Sequence, residues 1–153
     1  MDIRPIYDAS ALARLNRPLQ DLHVQHYPGI YKPYDEAAIT DYFLTCLADD
    51  SYLHWAAYKS ETPIGYLQAQ IIQKPENAFG YPQHSLHVHQ LMVDAAHRRS
   101  GAATLLMKTA KEAAQQRGIH RIDLTVRDFN EAAIAFYKSL GYKTDMLRVW
   151  MEV

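Results

Sequence analysis

Apolar and polar positions change period several times along this chain, and each change marks an element. Over residues 8–25 Leu12, Leu15, Leu19 and Leu22 recur at the three- or four-residue spacing of one helix face. Pro18 lies inside that stretch and predicts a kink or a break. Residues 26–34 hold two prolines, a glycine and three tyrosines, which is loop chemistry. A second helix is expected over 36–47. Tyr52–Tyr58 and Ile64–Ile72 then read as strands on either side of a turn at Lys59–Pro63. A loop with proline, glycine and asparagine at 74–84 leads to a third strand, His84–Val93. The helix expected over 102–117 carries Ala102, Ala103, Leu106, Ala110, Ala113 and Ala114 on one face, and Gly118 is placed to end it. Ile122–Val126 reads as a short strand, 131–140 as a helix stopped by Gly141, and Leu147–Val153 alternates like a final strand. The order predicts one α/β domain over residues 1–153 with a mixed sheet. No repeat, low-complexity tract or linker divides it.

Composition narrows the classes. A chain of 153 residues can bury a core without staples, and 48% apolar with 22% charged residues is a globular rather than a disordered mixture. A net charge of −1 gives no bulk attraction to nucleic acid or anionic membrane, so neither is an expected partner. No stretch approaches the roughly 20 apolar residues of a membrane span. Met1–Pro5 lacks the apolar run of a signal peptide, and the expected location is cytoplasmic. Cys46 is the sole cysteine, which excludes an internal disulfide and a multi-cysteine zinc site. Its neighbours Ile39, Tyr42, Phe43 and Leu47 make it a core residue rather than a nucleophile.

Two segments carry candidate chemistry. In the first, the strand ending Leu91-Met92-Val93 runs through Arg98-Arg99-Ser100-Gly101 into a helix opening Ala102-Ala103-Thr104. Unpaired N–H groups and the positive end of the helix dipole meet there, and small side chains leave them open to a phosphate. Arg98 and Arg99 add guanidinium charge at the same mouth. The segment fits an ordinary strand–helix turn equally well. It is neither a P-loop, for want of Gly-Lys-Ser/Thr, nor a three-glycine dinucleotide fingerprint. In the second segment, Asn130 is a good N-cap and Tyr137 follows seven residues later, nearly two turns on and on the same side. Ala133 between them leaves room along that face. A capped helix with a core tyrosine would look the same.

Taken together, Arg98-x-x-Gly101-x-Ala103 after a strand ending in Val93, followed by Asn130-x-x-Ala133-x-x-Phe136-Tyr137-x-x-x-Gly141-Tyr142, resembles the GNAT (Gcn5-related N-acetyltransferase) superfamily. The resemblance is specific over 85–142. It departs at Ala103, where glycine is common in relatives, and at Ala95, where proline is frequent. It implies the GNAT fold: a mixed, mostly antiparallel sheet with splayed parallel central strands, flanked by helices. It also implies acetyl-CoA as co-substrate and an amine as acceptor. Pantetheine would pair with the backbone of Leu91 to Val93, Met92 included. Pyrophosphate would sit on the N–H groups from Arg99 to Thr104, and Asn130 and Tyr137 would flank the pantetheine and the sulfur.

In such enzymes a neutral amine attacks the thioester directly. The resemblance implies Tyr137 as the acid that protonates the departing sulfur, and the Leu91 N–H as donor to the thioester oxygen. The run His87-Val88-His89-Gln90-Leu91-Met92-Val93 resembles that of the arylalkylamine branch, with His87 where many relatives place a glutamate. Strand alternation puts His87, His89, Leu91 and Val93 on one face. His87 is the first candidate base and His89 the second. Both also read as ordinary strand residues, and no metal site is expected, since no carboxylate lies beside them in sequence. Tyr27, Tyr31 and Tyr34 are candidate walls for the acceptor by stacking or cation–π contact. The expected activity is acetylation of a small-molecule primary amine. A protein N-terminal or lysine acetyltransferase, and a non-catalytic acyl-CoA sensor, are the alternatives. The alternating end at Leu147–Val153 also suits an edge strand in a homodimer.

Overall fold

The computed structural model describes residues 1–153. Five strands form one sheet in the order β1 (Asp2–Pro5), β2 (Tyr52–Lys59), β3 (Thr62–Lys74), β4 (Gln83–Val93) and β5 (Ile122–Leu124). The first four pair antiparallel, and β4 and β5 form a parallel pair at the end of the sheet. Helices α1 (Ala9–His26) and α2 (Glu36–Leu47) cover one face, α3 (Ala102–Gln116) and α4 (Glu131–Ser139) the other. This is the α/β arrangement expected of the GNAT fold.

Each face has its own core, because β2 and β3 alternate between them. Trp55, Ala57, Leu67 and Ala69 pack with Leu106, Met107 and Ala110 of α3. Ala56 and Tyr66 point the other way, onto Leu12 and Ala13 of α1 and Phe43 of α2. The sheet is buried on both sides, so its centre carries few charges. Cys46 is buried and unpaired, a core residue as expected. Helix starts follow the local chemistry: the carboxylates of Asp8 and Asp35 accept from the N–H groups of Ala11 and Ala38.

Three expectations need correction, and one strand was not foreseen. The α1 helix continues through Pro18 without a break, because Pro18 and Arg14 both face solvent, where water can take the carbonyl freed by the missing N–H. The strand β1 has no counterpart in the sequence pattern; four residues are too few to show a period. Leu147–Val153 forms no strand within the chain, and residues 143–153 have no regular structure. Finally, His87, His89, Leu91 and Val93 do not share a face. Gln68 pairs with Gln90 and Ala69 with Val88, so His89 is the extra residue of a β-bulge. Leu91 and Val93 pack with Leu86 and Val88 toward α3, while the two histidines join the opposite face.

Candidate active site

Of the four helices, α3 alone begins without a capping side chain. Gly101 holds its N-terminus at φ 86°, after Arg99 at φ 60°, and the first helical bond runs from the Leu105 N–H to the Gly101 oxygen at 3.0 Å. The N–H groups of Ala102, Ala103 and Thr104 precede that bond and have no acceptor in the helix. A Cβ on Gly101 would meet nothing within 4 Å, so the backbone lies open to solvent there. Ser100, Arg98 and Arg99 are exposed beside it. The arrangement is an anion cradle with guanidinium groups at its rim.

This cradle is joined to β4 by the loop 94–101, which holds one helical turn at Ala95–His97. Its pairing with β5 covers only Leu86 to Val88 against Ile122 to Leu124. From the bulge at His89 to Val93, β4 has no neighbour on that side, and its backbone groups can pair with an extended ligand. Gly65 lies opposite Val93, where a Cβ would come within 2.6 Å of the Met92 oxygen, so β3 and β4 approach closely at this end. The bulge is pinned from below. Gln90 accepts from the Tyr66 hydroxyl at 2.6 Å, and buried Asn16 of α1 donates to that hydroxyl at 2.9 Å. Asn16, Tyr66 and Gln90 escape a reading of the sequence, although Asn16 is a visible polar interruption in the leucine stripe of α1.

A histidine-rich cluster crosses the face below the bulge. His87 Nδ1–H donates to Asp123 Oδ1 at 2.5 Å, which turns Nε2 outward as the free acceptor. Burial tends to raise the Asp123 pKa, but the bonds from His87 and Arg121 hold it below the ordinary carboxylate range. His89 Nε2–H donates to Gln70 at 2.9 Å, leaving Nδ1 free. Burial, and then the charge of His87, lower the His89 pKa and favour its neutral ring. Tyr52 stacks between His89 and His54. Buried His54 accepts from the Gln68 amide at 3.1 Å, and burial followed by His89 brings its pKa down to about 4. Asp123 is a site residue that sequence reasoning missed. Its only signal is alternation, which places it on the face opposite Ile122 and Leu124.

On the other side of β4, Asn130 caps α4 by accepting from the Ala133 N–H at 3.2 Å, so its amide NH₂ is free to donate. Tyr137 packs between Phe136 and Tyr142 at 5.2 and 5.7 Å, within the layer that holds Leu91 and Val93. Burial, with Tyr142 adding, pushes its pKa up to about 12, so the hydroxyl stays protonated and can donate. The histidines and Tyr137 therefore approach the β4–β5 opening from opposite faces of the sheet.

The three loop tyrosines divide. Tyr34 donates to the Ala13 oxygen at 2.9 Å and is an anchor on α1. Tyr31 stacks on His23 at 4.6 Å and accepts from Arg127 at 2.9 Å. Tyr27 donates to Asp128 at 3.2 Å, and the Arg127 guanidinium lies 4.9 Å from its ring centre. His26 stacks on Phe129 at 3.9 Å. The loop after α1 is thus stapled to the loop between β5 and α4. No cluster of three His, Cys, Asp or Glu groups is placed to hold a metal ion, and no helix is long and apolar enough to cross a membrane.

The family model described as Acetyltransferase (GNAT) family matches residues 16–142. N-acetyltransferase 8 of Homo sapiens is 27% identical over 105 residues, 69% of this chain and 44% of that protein. The thialysine N-epsilon-acetyltransferase of Caenorhabditis elegans is 39% identical over 57 residues, 37% of this chain and 36% of that one. The matched stretch spans less than half the length of these curated relatives. Among solved structures, a tetramutant of the BH1408 protein from Bacillus halodurans superposes with a TM-score of 0.94 at 22% identity over 100% of both chains. The aminoglycoside N-acetyltransferase AAC(6')-Iy, solved with CoA, gives 0.73 at 16% identity over 99% of this chain and 93% of that one. These two likenesses are of fold. The family match, in contrast, takes in the β4 bulge, the uncapped α3 and the Asn130–Tyr142 segment, and the chain belongs to the Acetyltransferase (GNAT) family.

Proposed function

We propose that the protein is an acetyl-CoA-dependent N-acetyltransferase whose acceptor is the primary amine of a small molecule. The observation that carries this reading is the pair of open backbone surfaces: the β5-side edge of β4 from His89 to Val93, and the uncapped N-terminus of α3 after the loop 94–101. The first suits an extended pantetheine arm and the second its pyrophosphate. Arg98, Arg99 and Ser100 line the phosphate end; Asn130, Ala133 and Phe136 line the far side of the arm.

Roles follow from the chemistry of each group. His87, oriented by Asp123, takes a proton from the acceptor ammonium through its outward nitrogen and frees the amine to attack, and His89 stands second in line. The Leu91 N–H donates to the thioester oxygen as negative charge grows there. Tyr137 gives its proton to the departing sulfur. Tyr27 and Tyr31 form the acceptor wall; Tyr34 holds the loop. The name of the thialysine relative, a small amine, supports a small acceptor.

The test is release of free CoA from acetyl-CoA with a panel of small amines and lysine peptides. Turnover on a small amine is expected. Tyr137→Phe should lower kcat about 100-fold, the usual size of one acid–base contribution, with little change in acetyl-CoA affinity. Binding without turnover on any amine would leave an acyl-CoA sensor instead, and turnover on peptides alone would overturn the small-molecule acceptor.

A further inference from the structure

A polar row crosses the sheet face that α1 and α2 cover. His54 of β2, Gln68 of β3 and Gln90 of β4 stand directly opposite one another. The next row along, Ala56, Tyr66 and Met92, belongs to the buried core. His54 and Gln68 are themselves buried, as is Asn16 of α1 above them. Polar groups in such a place cost stability unless they find partners.

The partners come from inside the chain. The Tyr42 hydroxyl donates to Gln68 Oε1 at 3.1 Å, and the Gln68 amide donates to His54 at 3.1 Å. At the other end, Gln90 Oε1 accepts from the Tyr66 hydroxyl at 2.6 Å and from the Asn16 amide at 3.4 Å. Both lone pairs of that oxygen are then in use. The orientation of the Gln90 amide is fixed as well, since turning it over would set its NH₂ against the NH₂ of Asn16. Its own NH₂ has no partner in the chain, and the chain does not enclose it. Toward solvent, Gln90 can give a hydrogen bond and cannot take one.

This donor stands beside the candidate base. Gln68 and Gln70 are alternate residues of β3, and they pair with Gln90 and His87. Alternate residues lie on one face about 7 Å apart. Gln90 also directly precedes Leu91, whose N–H faces the thioester oxygen in the acetyl-transfer reading.

We propose that Gln90 sets the class of acceptor: its NH₂ binds a hydroxyl or carboxylate oxygen carried a short way from the reacting amine. The protein then takes amino alcohols or amino acids in preference to plain alkylamines, and diamines least. A second ammonium offers only donors, and so does the amide that would meet it. The inference rests on the acetyl-transfer reading and narrows its acceptor.

The experiment compares initial rates with four short primary amines: 3-amino-1-propanol, β-alanine, butylamine and 1,3-diaminopropane. For the natural chain, acceptor KM should be about twofold to tenfold lower with the better of the two oxygen-bearing amines than with butylamine, the equivalent of one hydrogen bond. Which of those two has the lower KM tells hydroxyl from carboxylate. Gln90→Glu is the decisive variant. Its carboxylate accepts from Tyr66 and Asn16 as the amide oxygen does, so the bulge stays pinned, but its outward oxygen now accepts. The order of KM values should invert, with the diamine best and acetyl-CoA affinity held. Equal KM values for the four amines on the natural chain would overturn the proposal. So would a loss in Gln90→Glu shared equally by all four, which would leave Gln90 a pin of the bulge alone. Turnover without preference removes this inference only, whereas no turnover on any amine removes the acetyl-transfer reading with it.

Discussion

The two halves of the candidate site are built from different materials. The half that faces α3 is made of backbone: N–H groups of Ala102 to Thr104, the unpaired stretch of β4, and a glycine at positive φ. The half that faces α1 is made of side chains: His87 on Asp123, His89 on Gln70, Tyr31 on Arg127. Backbone donors suit a ligand whose phosphates and amides never vary. Side chains drawn from α1, β2, β3, β4 and β5 suit a ligand that differs between relatives. The division predicts that substitutions at the α3 N-terminus will cost donor binding and those among the side chains facing α1 will cost acceptor chemistry, with Tyr137 the one group on the α3 side that acts on turnover.

The largest separation should come from Gly101→Asp. Placing a like charge where phosphate binds costs several kcal/mol, so acetyl-CoA affinity should fall at least about 100-fold by calorimetry. The left-handed backbone at Gly101 strains any side chain placed there by roughly 1–2 kcal/mol. The melting temperature should therefore fall by only roughly a few degrees while binding collapses. A parallel loss of both would mean that Gly101 serves the fold alone.

How much of this was legible in the sequence follows the same division. Backbone recognition leaves a local signature, because it needs small residues and caps at fixed spacing: Gly101 to Ala103, and Asn130 seven residues before Tyr137. The helices were legible for the same reason, since their periods are long enough to count. The side-chain half was not. Asp123 meets His87 across 36 positions, and Asn16 reaches Gln90 across 74, distances over which no local pattern carries information. The bulge at His89 defeats alternation by inserting one residue, which reverses the face of everything beyond it. At Leu147–Val153 the alternation is plain, yet the segment forms no strand within the chain.

A smaller effect, on the other side of the comparison, is expected for Asp123→Asn. The carboxylate fixes the Nδ1–H tautomer of His87, and an amide can turn its NH₂ toward the ring and present the wrong nitrogen outward. It acts through His87 and is a positioning residue. kcat should drop about 10-fold or more, below the full contribution of a general base, with acetyl-CoA affinity unchanged and the acid limb of the pH–rate profile displaced. A lower melting temperature with an unaltered profile would reduce Asp123 to a structural role.

The smallest expected effect is that of Arg127→Ala, and it is the most direct test of where the acceptor lies. Arg127 donates to the Tyr31 hydroxyl and lies 4.9 and 5.3 Å from the ring centres of Tyr27 and Tyr31, joining the loop after α1 to the loop before α4. A partly exposed cation–π contact contributes about 0.5–1 kcal/mol, so its loss loosens the wall without unfolding the domain. The acceptor KM should rise about threefold to fivefold, the equivalent of that energy at 1.4 kcal/mol per decade. Acetyl-CoA affinity should hold, because none of these groups touches the α3 cradle. Arg127→Lys should recover little, since an ammonium lacks the planar face that spans two rings. If acetyl-CoA affinity fell along with the acceptor KM, the tyrosine loop would belong to the donor half, and the acceptor would have to enter over Tyr52 and His54 instead.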